Sequence, residues 1–165
     1  MKRIQLLKTI TTIAFAIGMV TLFFGVPFVL ILILFPSQVP FTVHGVMPTA
    51  LGVETGLYFL VQLGAYAFYV YALYLFKQTV ILLEKQKLFH ADVIKNLFQC
   101  GRAILTGWLI STVAEFAYNA LVRGELRIAV TAGTFLIPAL GLFFMVLGDV
   151  FRTAKPIKEE NDLTV

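Results

Sequence analysis

From Thr9 to Phe76 the chain carries no lysine and no arginine. Its first part, TITTIAFAIGMVTLFFGVPFVLILILF at 9–35, holds no charged side chain. About 20 apolar residues take a helix across the hydrocarbon core of a bilayer, so this run exceeds what a crossing needs. Three more runs follow: GLYFLVQLGAYAFYVYALYLF at 56–76, AILTGWLISTVAEFAYNALV at 103–122 and IAVTAGTFLIPALGLFFMVLG at 128–148. In lipid, every backbone donor and acceptor must find its partner within the protein, and a helix does this alone. The expected fold is an all-α integral membrane protein, a four-transmembrane-helix bundle forming one domain over 1–165.

Composition agrees. Charged residues make up 13% of the chain, against roughly 25% in soluble domains. A net charge of +4 can signal nucleic-acid binding, but then the charges should cluster on one exposed face. Here they fall between apolar runs, so topology explains them better and no direct nucleic-acid binding is expected. The single Cys100 excludes an intrachain disulfide and a thiolate metal cluster, and reads as a small packing residue. No cofactor is expected.

The MKR start fits the head of a signal peptide, but a signal's apolar region runs about 7–15 residues and this one is far longer. An uncleaved anchor is the expectation. Orientation follows from counting basic residues on each side. Lys2, Arg3 and Lys8 precede the first span; Lys77, Lys85, Lys87, Lys95 and Arg102 lie between the second and third; Arg152, Lys155 and Lys158 follow the fourth. Arg123 and Arg127 alone fall on the other side. Both termini are therefore expected in the cytoplasm, in the inner or plasma membrane of a bacterium.

The connectors differ. Residues 36–55 carry three prolines and two glycines and read as a turn-rich external loop, with His44 a solvated side chain lacking nearby metal ligands. RGELR at 123–127 reads as a tight turn with a solvated Glu125. The cytoplasmic connector, 77–102, mixes apolar and charged residues at helical spacing. It should continue the second and third helices beyond the membrane, turning near EKQKLFHAD, with Asp92 in the new helix's first turn where the macrodipole favours an anion. The cytoplasmic tail is 149–165, with Asp149 and Arg152 poised as an interfacial ion pair. No internal repeat is visible.

Lipid removes the hydrophobic drive between helices, so small and polar residues should mark their contacts. Thr11, Ala14, Gly18, Thr21 and Gly25 form a small-residue face on the first helix, and Gly141 and Gly148 do so on the fourth. Pro27 and Pro138 are expected to kink their helices. In the second helix Glu54, Tyr58, Gln62, Tyr66 and Tyr69 share a face; in the third, Ser111, Thr112, Glu115 and Asn119 form a comparable stripe. Gln62 and Glu115 each lie about 12 Å inward from an external edge, Glu54 and Arg123 respectively, at ~1.5 Å per residue. The candidate intramembrane cluster is Tyr58, Gln62, Tyr66, Glu115 and Asn119. An ionised carboxylate facing lipid is costly, so Glu115 should face inward, be protonated or be paired. It is either a proton- or cation-handling group or one member of a hydrogen-bond network that fixes register.

There is no Gly-rich phosphate loop, HExxH, GxSxG or CxxC, so no catalytic role is expected. The ending LGDVFRTAKPIKEENDLTV resembles that of a bacterial family of small membrane proteins known as domain of unknown function 2975. The specific part is the acidic segment Glu159, Glu160, Asn161, Asp162, Leu163, Thr164 and Val165. LLEKQKLF at 82–89 is similar to the family's Leu-rich helix, polar turn and Phe, and the resemblance runs from about Gly56 to the end, more loosely over the first helix. It implies a four-helix membrane chain with no assigned activity, and a cytoplasmic helix-turn-helix regulator as partner. Two functions stay open: a non-enzymatic regulatory or interaction protein acting through connector and tail, and a small transporter or ion- or lipid-handling protein built around Glu115. Transport would need a homo-oligomer, since four helices enclose little space. The tail itself either docks a partner or folds onto the lysines of the connector. A third, weaker option is protection against a membrane-active toxin through the external loop.

Overall fold

The computed structural model describes residues 2–38, 52–85, 90–126 and 131–163, with side chains in the last helix described as far as Ile157. These residues form four long helices: α1 Lys2–Leu34, α2 Val53–Glu84, α3 Ala91–Leu121 and α4 Ala132–Leu163. A 3₁₀ turn at Pro36–Gln38 follows α1. All four helices are long and apolar enough to cross a membrane. They pack as a bundle, in chain order: α1 on α2, α2 on α3, α3 on α4, with no comparable backbone approach between α1 and α4 among the described residues.

Each helix exceeds its apolar run. α2, α3 and α4 contain 32, 31 and 32 residues. At ~1.5 Å per residue each spans about 48 Å, against a hydrocarbon core of about 30 Å. The connector between α2 and α3 is accordingly helical almost throughout, as its mixed spacing predicts. α2 closes at Lys85, whose N–H bonds Ile81 O, and α3 opens at Ala91; residues 86–89, the core of the expected turn, lie outside the described residues. His90 caps α3 by accepting from the Asp92 N–H at 3.3 Å, and its ring stands 3.2 Å from the Asp92 carboxylate. The α4 backbone stays helical beyond the apolar run, through Leu163, and passes Pro156 on the way. A proline there removes one backbone bond, while Glu159, Glu160, Asn161 and Asp162 lack the glycine that would end a helix.

Small residues let these helices approach closely. On α1, Thr11 and Gly18 are buried; Gly18 meets Val70, and Gly25 meets Leu63, both on α2. On the other side of the bundle Gly101 of α3 lies directly against the carbonyl oxygen of Gly141 of α4. Gly148 repeats the contact two turns on, against Phe98 and Ile94 O. The centre of the packing is Ala72 and Leu75 with Cys100, Ala103 and Ile104, closed from α4 by Ile137 and by Phe144, whose ring packs tilted against Phe76 at 5.3 Å. Cys100 is buried there as a packing residue, its thiol donating to Ala72 O at 3.4 Å.

The largest fully buried side chains are Thr79, Val80, Val93, Leu97 and Cys100. They sit at the connector end of α2 and α3. At this end Lys8 and Glu84 form an ion pair of 2.7 Å that ties α1 to α2, and the Lys77 ammonium lies over the Phe15 ring. Asp149 and Arg152 stand 3.9 Å apart on α4, the expected interfacial pair.

A methyl group on Gly101 would run into backbone rather than a yielding side chain. Gly101→Ala should therefore lower stability by about 1–3 kcal/mol, the usual cost of overpacking. Gly64 has open space around it. Gly64→Ala should be neutral or stabilising, since alanine favours the helix by up to about 1 kcal/mol. Unfolding midpoints of the purified protein in detergent check both.

Candidate functional site

The polar stripes of α2 and α3 do meet, through Gln62 and Ser111. The Gln62 amide makes two bonds to one residue: its oxygen accepts from Ser111 Oγ at 2.7 Å, and its nitrogen donates to Ser111 O at 3.3 Å. The same nitrogen donates to the Tyr58 hydroxyl at 3.1 Å. Towards the loop end of α2, the Thr55 and Tyr118 hydroxyls share a hydrogen bond of 2.8 Å. The Tyr58 and Tyr118 rings stack at 4.5 Å, and the Arg123 guanidinium covers the Tyr118 ring at 5.3 Å. Two amide contacts, one hydroxyl pair and one ring stack thus fix how α2 sits against α3.

This register corrects the expected depths. Gln62 lies level with Ser111 and Thr55 with Tyr118, so Glu115 comes level with Tyr58, a turn away from Gln62. The outer end of α3 reaches a turn further than that of α2, which makes Arg123 a poor marker of equal depth. Of the five cluster residues, Tyr58 and Gln62 are joined directly. Tyr66 lies on the α1 side, near Gly18, and borders a cleft between α1 and α2 together with Gln62. Glu115 and Asn119 are half-buried, and among the described residues neither side chain forms a hydrogen bond or ion pair; Asn119 contributes only its carbonyl, which accepts from Glu125 N–H at 3.0 Å. Glu125 itself is exposed.

Helix geometry explains the sorting. One residue turns the helix by about 100°, so a step of four drifts about 40° while a step of seven returns within about 20°. From Ser111, Tyr118 is a step of seven and stays on the face; Glu115 and Asn119 drift away from it. From Gln62, Thr55 is likewise a step of seven. Thr55 and Tyr118 are missed by a stripe traced in fours, and the seven-residue spacing is the signal that finds them.

Drift also gives α2 two sides. Glu54 and Tyr58 border a groove of about 670 Å³ between α2 and α3, on the outer half of the bundle. Its other borders are apolar, among them Val61, Val113, Ala114 and Ala117. No group of three His, Cys, Asp or Glu side chains suited to a metal occurs among the described residues. His44 and the rest of the external loop at 39–51, Lys87 and Arg127 lie outside the described residues, as do the side chains of Glu159, Glu160, Asn161, Asp162 and Leu163 and the whole of Thr164 and Val165.

Four long apolar helices packed through small residues, with one polar contact between α2 and α3, make this a multi-pass membrane protein in contact with lipid. The chain belongs to the family described as a protein of unknown function, DUF2975, whose model matches residues 36–165. The matched span takes in the loop after α1 and α2 to α4 and leaves α1 outside, where the resemblance reaches only loosely. No curated protein and no solved structure matches the chain.

The Gln62–Ser111 contact should be measurable as coupling. Gln62→Leu and Ser111→Ala, alone and together, should give an interaction energy of about 0.6–1.7 kcal/mol, the range found for hydrogen bonds between membrane helices. Glu115→Gln should move the unfolding midpoint by less than about 0.5 kcal/mol, the usual bound for a position outside such networks. Unfolding of the reconstituted variants checks both values.

Proposed function

We infer that the protein is a non-enzymatic membrane regulator that holds a protein partner at the cytoplasmic ends of α2, α3 and α4. One observation carries this reading. The largest fully buried side chains, among them Val80 and Val93 at 0% exposure, lie at the connector end. Helices of about 48 Å leave some 18 Å outside a hydrocarbon core of about 30 Å. If the basic residues mark the cytoplasmic side, that excess is a rigid stub projecting towards the cytoplasm. Lys85, Lys95, Arg102 and Arg152 are exposed on it, a surface suited to an acidic partner. The helical course of α4 to Leu163 presents the acidic end as a continuation of the same stub. A helix-turn-helix regulator, the partner implied by the family resemblance, is one protein such a surface could hold.

Orientation is tested first. With Cys100→Ala as background, Thr153→Cys should react with a membrane-impermeant maleimide only after the cells are opened. Labelling in intact cells would invert the topology. Photo-crosslinkers placed at Lys85, Lys95, Arg102 and Arg152 should then capture one discrete protein in vivo, and deletion of Glu160–Val165 should abolish or weaken that product. Products containing only lipid at all four positions would defeat the reading, as would a product consisting only of a second copy of this chain.

A further inference from the structure

We propose that the groove between the outer halves of α2 and α3 is a binding site for a phospholipid whose headgroup carries both a phosphate and a primary ammonium, as phosphatidylethanolamine does. The site lies at the opposite end of the bundle from the docking stub and does not depend on what that stub holds.

The groove is apolar and open. Its volume of about 670 Å³ falls within the roughly 300–1,000 Å³ of small-molecule sites. It exists because α3 presents Ala114 and Ala117 where α2 presents Leu57 and Val61, so two small side chains leave room that two larger ones border. That space suits an acyl chain. A bilayer would fill any such groove with hydrocarbon, and the rim is what selects among lipids.

Two opposite charges stand at the rim. Glu54 borders the groove from the first turn of α2, where the helix dipole favours an anion. Arg123 follows the end of α3, where the dipole favours a cation, and its guanidinium lies over Tyr118, itself a border of the groove. Both side chains are exposed, and no ion pair joins them to each other or to another group among the described residues. The rim therefore offers one anionic and one cationic contact above a single apolar slot. Arginine suits the phosphate, which it can meet with two parallel N–H donors. The Glu54 carboxylate accepts N–H donors, which an ethanolamine ammonium has. A choline headgroup is cationic but has no N–H, and a glycerol headgroup carries no positive charge at all. The complementary headgroup is thus the aminophospholipid.

The test uses the full chain in detergent, titrated with phosphatidylethanolamine, phosphatidylcholine and phosphatidylglycerol of identical acyl chains and read by native mass spectrometry. Phosphatidylethanolamine should be retained about tenfold better than phosphatidylcholine, the size of one charge-assisted hydrogen bond. Glu54→Gln should remove that preference, and Arg123→Gln should weaken all three lipids. Ala117→Trp should fill the groove and eliminate the retained lipid while the circular dichroism stays unchanged. Equal retention of the three lipids by the unaltered chain would overturn the proposal. So would a preference that survives Glu54→Gln, or a groove closed by a second copy of the chain with no lipid bound. The two rim variants lie on exposed positions and keep the test decisive if Ala117→Trp does not fold.

Discussion

Hydrocarbon supplies no hydrogen bonds, and the molecule follows from that. Each crossing segment must pair its own backbone groups, so each becomes a helix. Lipid tails are as apolar as leucine, so the helices gain little by hiding apolar surface from them and must instead fit closely. Gly101 against Gly141 O shows this need at the backbone. Side-chain hydroxyls obey the same rule: Thr11 and Thr79, both buried, donate back to Leu7 O and Leu75 O at 2.7 and 3.0 Å. Such back-bonding lets a polar residue stand in an apolar helix without a partner on another helix.

The two halves of the bundle use different devices. Towards the connector, α3 offers Cys100, Gly101, Ala103 and Gly107, and its neighbours close in until Ala65 O lies 2.9 Å from where a side chain on Gly107 would start. Towards the other end the same helix carries Leu109, Ile110 and Val113, which with Ala114 and Ala117 border the open groove. There Gln62, Ser111, Thr55 and Tyr118 replace close fit with directed bonds. A graded sequence along one helix thus makes one end rigid and leaves the other accessible.

The fold was legible because its cause is a simple length. Four apolar runs each cover a bilayer, and the charged spacing of 77–102 continues the helical period beyond it, as α2 and α3 do. The small-residue contacts were legible too: Gly18 and Gly25 meet α2, and Gly141 and Gly148 meet α3. The helical tail was not, because a charged stretch containing Pro156 carries no apolar period to follow. The site was half legible. Composition and spacing point to Gln62 and Tyr58, but which residue on α3 answers them depends on the axial offset between two helices. That offset is set by packing elsewhere, at Gly107 and Cys100, and no stripe on a single helix encodes it.

The offset also changes the meaning of Glu115. A register-fixing network was one of its two readings, and that work is done by Gln62 with Ser111 and by Thr55 with Tyr118. Glu115 stands six residues inside Leu121, the last residue of α3, or about 9 Å at ~1.5 Å per residue. With the centre of a ~30 Å hydrocarbon core about 15 Å in, a helix end at the interface would put Glu115 about 6 Å from that centre, where the cost of a carboxylate is greatest. Two further charges stand at that end of the bundle, both exposed: Glu54, which borders the groove, and Arg123, whose guanidinium lies over the Tyr118 ring.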